Sequence, residues 1–190
     1  MELSKYIFVI DNFLPKEANE SFIEVCKSGY LKFEEATVVR NGKNEKDLYM
    51  RKTEYCSLKN FPEFNMTTKH WANYLYREFT NAIIKYNNDL NTLIDAQVKD
   101  IQVLKYEIGG HYRFHWDDGP TTPRTLSGIY FVNDNYEGGD LEFKFWKSDK
   151  RIKIKKEKNL FVMWPSNFLY PHTVQNVTKG TRYSVVTWAR

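Results

Sequence analysis

Cysteine is scarce in this sequence. Cys26 and Cys56 are the only two among 190 residues, and they do not form a CxxC pair. This argues against a disulfide framework and a thiolate metal cluster, and predicts two reduced, buried thiols in a cytoplasmic protein. Long apolar runs are missing too. The stretch "YIFVI" in "MELSKYIFVIDNF" closes at Asp11. It is too short for a signal peptide, nothing later approaches a membrane span, and the expectation is a soluble chain with no membrane partner. Neither sign of charge dominates: 28 Lys+Arg against 24 Asp+Glu leaves +4. That balance argues against nucleic acid as the main partner. No internal repeat or low-complexity segment occurs. In the basic stretch 147–158, Ile152 and Ile154 alternate with Arg151, Lys153 and Lys155, the pattern of one strand with a wet basic face.

Aromatic residues, by contrast, are abundant. Thirteen Tyr, 13 Phe and 5 Trp within a 42% hydrophobic chain supply a sizeable core and exclude disorder of the whole. The length suits one domain, 1–190. "YIFVI" reads as a short buried strand. The segment "DNFLPKEANESFIEVCKSG" carries Leu14, Ala18, Phe22, Ile23 and Cys26 at helical spacing, with Pro15 at its start and Gly29 beyond its end. "FEEATVVRNGKNEKDLYMRKTEYCSL" reads as two strands joined by a polar loop, 40–47, with Asn41-Gly42 as the turn. The second helix is "TTKHWANYLYREFTNAIIKYNNDL", with an apolar face of Trp71, Leu75, Phe79, Ile83 and Ile84 and an end at Asn87-Asn88. From about residue 99, short strand-like segments follow one another between Gly, Asn, Asp and Pro turns, which implies a sandwich or barrel. The division expected is a strand-and-helix support region, 1–98, and a β core, 99–190.

Four histidines are present. His70, at a helix start, and His111, in a Gly-Gly-His turn, read as solvated. His115 stands two residues before Asp117 in "YRFHWDDG", and His172 follows 57 residues later in "YPHTVQNV". On a regular strand, positions i and i+2 share a face, so His115 and Asp117 could reach one ion while Trp116 faces away. Two imidazoles and one carboxylate with open positions form the facial triad that suits non-haem Fe(II). A closed zinc site would need a further cysteine or histidine cluster. Ten residues after His172 comes Arg182, in "TRYSVVTW". If a tight turn at 178–180 folds its strand against that of His172, the guanidinium enters the same cavity, suited to bidentate grip on a carboxylate. Ser184 lies on the same face and could add a hydroxyl.

At this point the chain resembles the Fe(II)- and 2-oxoglutarate-dependent oxygenases, most closely the prolyl-4-hydroxylase-like branch. Five segments carry the likeness in order: "IFVIDNFLPKE"; "ATVVRNGKNEKDLYMRKTEYCSL", with Arg51 and Thr53; "LKYEIGGHYRFHWDD"; "RTLSGIYFVNDNYEGGDLEF"; and "HTVQNVTKGTRYSVVTWAR". The resemblance implies a mainly β fold, a double-stranded β-helix (jelly roll) with N-terminal α-helices packed on one sheet. It implies Fe(II) on His115, Asp117 and His172. It also implies 2-oxoglutarate on Arg182, with Tyr106 or Tyr112 as a phenolic donor and Ser184 as a further candidate. The reaction implied consumes O2 and 2-oxoglutarate, with ascorbate as a possible accessory, and releases succinate and CO2. The chain departs from the branch at Phe131, where a tyrosine is usual, and at Leu141, where a threonine is usual; Tyr130 is expected to face the opposite side from Phe131.

Branch membership implies a prolyl residue in a peptide or protein as substrate. Trp116, Trp164 and Trp188 are expected to flank an open cleft, Arg51 to contact substrate, and loop 40–47 to cover it. The alternatives on the same residues are a hydroxylase of a free amino acid, a nucleic-acid demethylase and a non-catalytic binding module.

Overall fold

A computed structural model describes residues 3–40, 43–58, 65–146 and 150–190. Two sheets face each other. The larger has seven strands in the order Phe8–Ile10, Leu160–Pro165, Leu126–Phe131, Arg182–Ala189, Val98–Tyr106, Glu54–Ser57 and Glu34–Glu35. The smaller has five: Arg151–Lys153, Leu141–Lys144, His172–Val174, His111–His115 and Arg51–Lys52. Every pairing in both is antiparallel.

Period-2 alternation divides the larger sheet between two cores. Leu104, Ile129, Phe131, Val162 and Val186 point inward and pack with Leu141, Phe143 and Val174 of the smaller sheet. Their neighbours Val103, Tyr130, Phe161 and Val185 point outward into a second core. Tyr130 and Phe131 therefore do face opposite sides. The outer core also holds side chains from helix α1 (Lys16–Lys27) and helix α2 (Met66–Leu90). Phe13 stacks on Phe161 at 4.5 Å, Phe79 lies 5.3 Å from the same ring, and the Asn19 amide donates to the Tyr130 hydroxyl at 2.6 Å.

Helix α1 begins after Pro15, and Gly29 beyond its end takes φ +79°. Helix α2 is capped by Asn65, whose side chain accepts from the Thr68 amide. It runs past the expected stop to Leu90, because the Asn87 side chain turns to the Ile94 amide and carbonyl instead of ending the helix. Ile84 is 55% exposed and leaves the apolar face to Ala82, Ile83 and Tyr86. Segment 40–47 is not a plain loop. Val38–Arg40 pairs with Lys43–Glu45 to make a β-hairpin of its own, while the expected Asn41-Gly42 turn lies outside the described residues. Of the basic stretch, Arg151–Lys153 is a strand with Ile154 buried behind it, and 147–149 lie outside the described residues. Both cysteines are buried and free, and burial pushes the Cys56 thiol up to about 11. Among the described residues no helix is long and apolar enough to cross a membrane.

Candidate metal centre

His115 ends one strand of the smaller sheet and His172 begins its neighbour, so that the two are cross-strand partners. Asp117 is not on the strand, contrary to the same-face argument. The ladder stops at His115, and the chain bends so that the amides of Asp117 and Asp118 both donate to the Ser166 carbonyl. This bend, rather than strand periodicity, brings the carboxylate back. Its Oδ1 lies 3.7 Å from His115 Nε2 and its Oδ2 lies 3.5 Å from His172 Nε2. Ligand atoms of all three residues fall within 4.8 Å of one another.

The tautomers follow from the neighbouring carbonyls. His115 Nδ1 donates to the Arg113 carbonyl at 2.8 Å, and His172 Nδ1 donates to the Tyr170 carbonyl at 3.1 Å. A carbonyl only accepts, so in each neutral ring the proton sits on Nδ1 and the Nε2 lone pair faces the cluster. Burial, reinforced by His172, lowers the His115 pKa to about 3, so this ring stays neutral. Burial alone would raise the Asp117 pKa, but His172, His115 and Arg124 outweigh it and hold the group ionised. A buried carboxylate and two imidazoles whose Nε2 atoms face it are a donor set for a borderline divalent cation.

Around the three lie the remaining candidates. The Tyr112 ring stacks on His115 at 3.5 Å, and the Arg51 guanidinium sits 4.8 Å from the Tyr112 centroid. Tyr106 lines the cavity at His115, Asp117 and His172 from the larger sheet, where it is the cross-strand partner of Arg182, with the guanidinium 5.0 Å from its ring. The arrangement assumed for Arg182 needs correction. Its strand does not pair with that of His172; it lies in the larger sheet, and the intervening Val177–Lys179 pairs with Glu137–Gly138. The two strands face each other across the sandwich, because residues 175–181 cross from one sheet to the other. Gly180, in the expected turn, does take φ +74°.

Arg182 is wholly buried. Nη1 donates to Ser184 Oγ at 2.7 Å, while Nε and Nη2 have no partner among the protein atoms. Ser184 thus occupies one face of the guanidinium. The other buried, unpartnered side-chain atoms among the described residues are Arg51 Nε, Trp164 Nε1 and the Tyr136 hydroxyl. All five can donate, and the three that meet at Gly139, Arg182 Nε, Arg182 Nη2 and the Tyr136 hydroxyl, suit an anion with several acceptor oxygens. The residues present therefore fit both a divalent metal and a carboxylate ligand.

A cleft of about 720 Å³ opens over Asp117, with Val38, Val39 and Asn44 of the hairpin on one side and Trp116 and Pro120 on another. Arg51, Tyr112, Asp117 and Trp188 line both this cleft and the inner cavity that holds His115 and His172. Trp116 is 50% exposed and faces the cleft, whereas Trp164 is core, edge-on to His172 at 4.9 Å. His70 is exposed on helix α2, but His111 is not simply solvated: its two ring nitrogens meet the carbonyls of Gly109 and Tyr49. Arg124 escaped the sequence reading. Its Nη1 donates to the Asp117 carbonyl at 3.2 Å, and its guanidinium lies 3.8 Å over the Trp188 ring. A lone Arg after Pro123 carries no periodic signal, and only the bend at Asp117 makes it a neighbour.

Residues 101–190 match the model of the 2OG-Fe(II) oxygenase superfamily. The match spans just under half of the chain. Among curated proteins, the chain is 31% identical over 96 residues to a PKHD-type hydroxylase of Synechococcus sp. (strain CC9902), an overlap of 48% of this chain and 41% of that one. It is 35% identical over 77 residues to human prolyl 3-hydroxylase 2, covering 38% of this chain and 11% of that protein. The chain thus spans less than half the length of these curated relatives. Among solved structures, a Trichoplax adhaerens prolyl hydroxylase in complex with a hypoxia inducible factor oxygen degradation domain peptide superposes with a TM-score of 0.76. Identity there is 19%, over 97% of this chain and 83% of that one. The 2OG complex of the viral collagen prolyl hydroxylase from Paramecium Bursaria Chlorella virus-1 gives 0.65 at 19% identity, covering 100% of this chain and 99% of that one. At these identities the likeness is one of fold, and these structures are oxygenases with a jelly-roll core.

Proposed function

We propose that this chain hydroxylates a C–H bond of a prolyl residue in a peptide or protein, consuming O2 and 2-oxoglutarate and releasing succinate and CO2. What carries the reading is the coexistence, in one sandwich, of two lone-pair-directed imidazoles, one ionised carboxylate and a buried arginine with two unmatched donors.

In this reading His115, Asp117 and His172 hold Fe(II), while Arg182 takes the far carboxylate of 2-oxoglutarate beside Tyr106. Fe(II) held by these residues would supply the redox chemistry that activates O2, which is the oxidant, with 2-oxoglutarate as the co-reductant. The rest is the work of the chain. The carbonyls of Arg113 and Tyr170 keep each ligating Nε2 free of a proton. Arg124 steadies the Asp117 backbone. The apolar walls of the inner cavity exclude water, which strengthens every charge contact within it. The cleft of about 720 Å³ that holds Trp116 and Arg51 is roomier than a free amino acid needs and suits an extended chain, with Val38, Val39 and Asn44 of the hairpin in its lining.

The test is succinate production from 2-oxoglutarate with Fe(II) and ascorbate, with and without a pool of proline-rich peptides. A rise with peptide, and hydroxyproline located by mass spectrometry, is the expected result. Slow succinate formation that no peptide accelerates would overturn the prolyl assignment and leave a small molecule or another macromolecule as substrate. No succinate under any condition would overturn the oxygenase reading itself.

A further inference from the structure

Tyr136 is 4% exposed, yet its hydroxyl has no partner among the protein atoms. The residue lies between the strand Leu126–Phe131 and the short strand Glu137–Gly138, where neither ladder would fix its side chain. What does fix it is local. Its carbonyl accepts from Lys156 Nζ, and the same ammonium lies 4.7 Å from its ring centroid. Its other neighbour is Arg182. Gly139, at φ +64°, leaves the space that both occupy: a Cβ there would come within 2.9 Å of Arg182 Cδ and 3.0 Å of Tyr136 Cε2. Burial raises the phenol pKa above its usual 10, with Arg182 opposing, so the hydroxyl keeps its proton at neutral pH.

The Tyr136 oxygen can accept from Arg182, and that contact works against burial in setting the phenol pKa. A guanidinium has no acceptor, so even a Tyr136 oxygen turned toward Arg182 would leave the phenolic proton without a partner. One acceptor that meets Arg182 Nε, Arg182 Nη2 and the Tyr136 hydroxyl together is a carboxylate, with two oxygens and about four lone-pair sites. Phe131 on the opposite side of the guanidinium, 5.2 Å away, has no polar atom to contribute. We infer that Tyr136 is a binding residue for the far carboxylate of the keto-acid co-substrate, donating to one oxygen while Arg182 grips the pair. The inference rests on the reading of Arg182 given above. It makes Tyr136 a determinant of dicarboxylate over monocarboxylate keto acids.

Calorimetric titration of the Mn(II)-loaded protein with 2-oxoglutarate and with 2-oxobutyrate, which lacks the far carboxylate, tests both levels separately. The wild type is expected to prefer 2-oxoglutarate strongly. Tyr136→Phe is expected to weaken 2-oxoglutarate about tenfold, the scale of a hydrogen bond to a charged group, and to leave 2-oxobutyrate unchanged. Equal 2-oxoglutarate affinity in wild type and Tyr136→Phe would overturn the inference while leaving Arg182 in place. No preference in the wild type would overturn the co-substrate reading, and this inference with it. The variant removes a hydroxyl that no protein atom uses, so its melting temperature should not fall. A clear fall would mean that the hydroxyl serves the fold, which also overturns the inference.

Discussion

His115 and His172 face each other across one antiparallel pair, their ring centroids 4.3 Å apart. Strand pairing therefore fixes two metal ligands relative to each other before any ion arrives, and the bend after His115 delivers the third. Replacing any of the three by alanine should abolish Mn(II) binding, followed by electron paramagnetic resonance, and turnover with it. Retained binding in Asp117→Ala would remove that residue from the site.

Arg182→Ala deletes the cation that matches the far carboxylate. Truncating one partner of a buried charge pair costs about 2–5 kcal/mol. The 2-oxoglutarate concentration needed for half-maximal succinate production should rise by roughly 30-fold or more. An unchanged requirement would refute the role.

The metal-free protein should lose stability in acid, for two reasons of the same sign. The His115 pKa is lowered to about 3 in the fold, so as pH falls through the unfolded value of 6.5 the unfolded chain takes up a proton that the native ring refuses. Native stability then declines by about 1.4 kcal/mol per pH unit from this group, until about pH 3. The Asp117 pKa is also lowered in the fold, and its contribution, present above the unfolded value, is lost as pH falls through the folded one. Thermal melts from pH 7.5 to 4 check this, and His115→Gln should flatten the slope. An unaltered slope in that variant would show that other groups dominate.

Trp116 is half exposed and has little part in the core. Trp116→Ala should raise the KM for peptide several-fold with the melting temperature unchanged. Excising hairpin 38–45 should reduce peptide-stimulated succinate production while sparing Mn(II) binding, because no metal ligand lies on it. Undiminished peptide turnover after excision would dispose of the covering role.

Much of the site was legible because its chemistry is carried by residue type and spacing. His115, Asp117, His172 and Arg182 announce a facial triad and an anion anchor before any coordinate is known. The segments "TLSGIYFV" and "NLFVMWP" likewise read as strands, and their near-continuous apolar runs fit burial on both faces. What spacing could not supply was which sheet each strand joins. His172 and Arg182 are ten residues apart, and a hairpin is the simplest way to link them; the chain instead crosses the sandwich between them, which depends on closure of both sheets. Asp117 joins the two histidines by a route that strand periodicity could not show, since the acceptor of its amide, the Ser166 carbonyl, is 49 residues away in sequence. Tyr136 and Arg124 had no periodic context, and their neighbours come from distant strands. An aromatic directly preceding Glu137 and the positive-φ pair Gly138-Gly139 was the one local sign that a side chain there must fit a crowded corner.

The unmatched donors around Arg182 also bear on how long the protein lasts. Their desolvation is already complete in the native chain, so an anion that meets them stabilises the folded state alone, by mass action. With the keto acid proposed for Arg182 as that anion, resistance to proteolysis should rise and fall with its concentration, so that the ligand sets the lifetime of the folded chain.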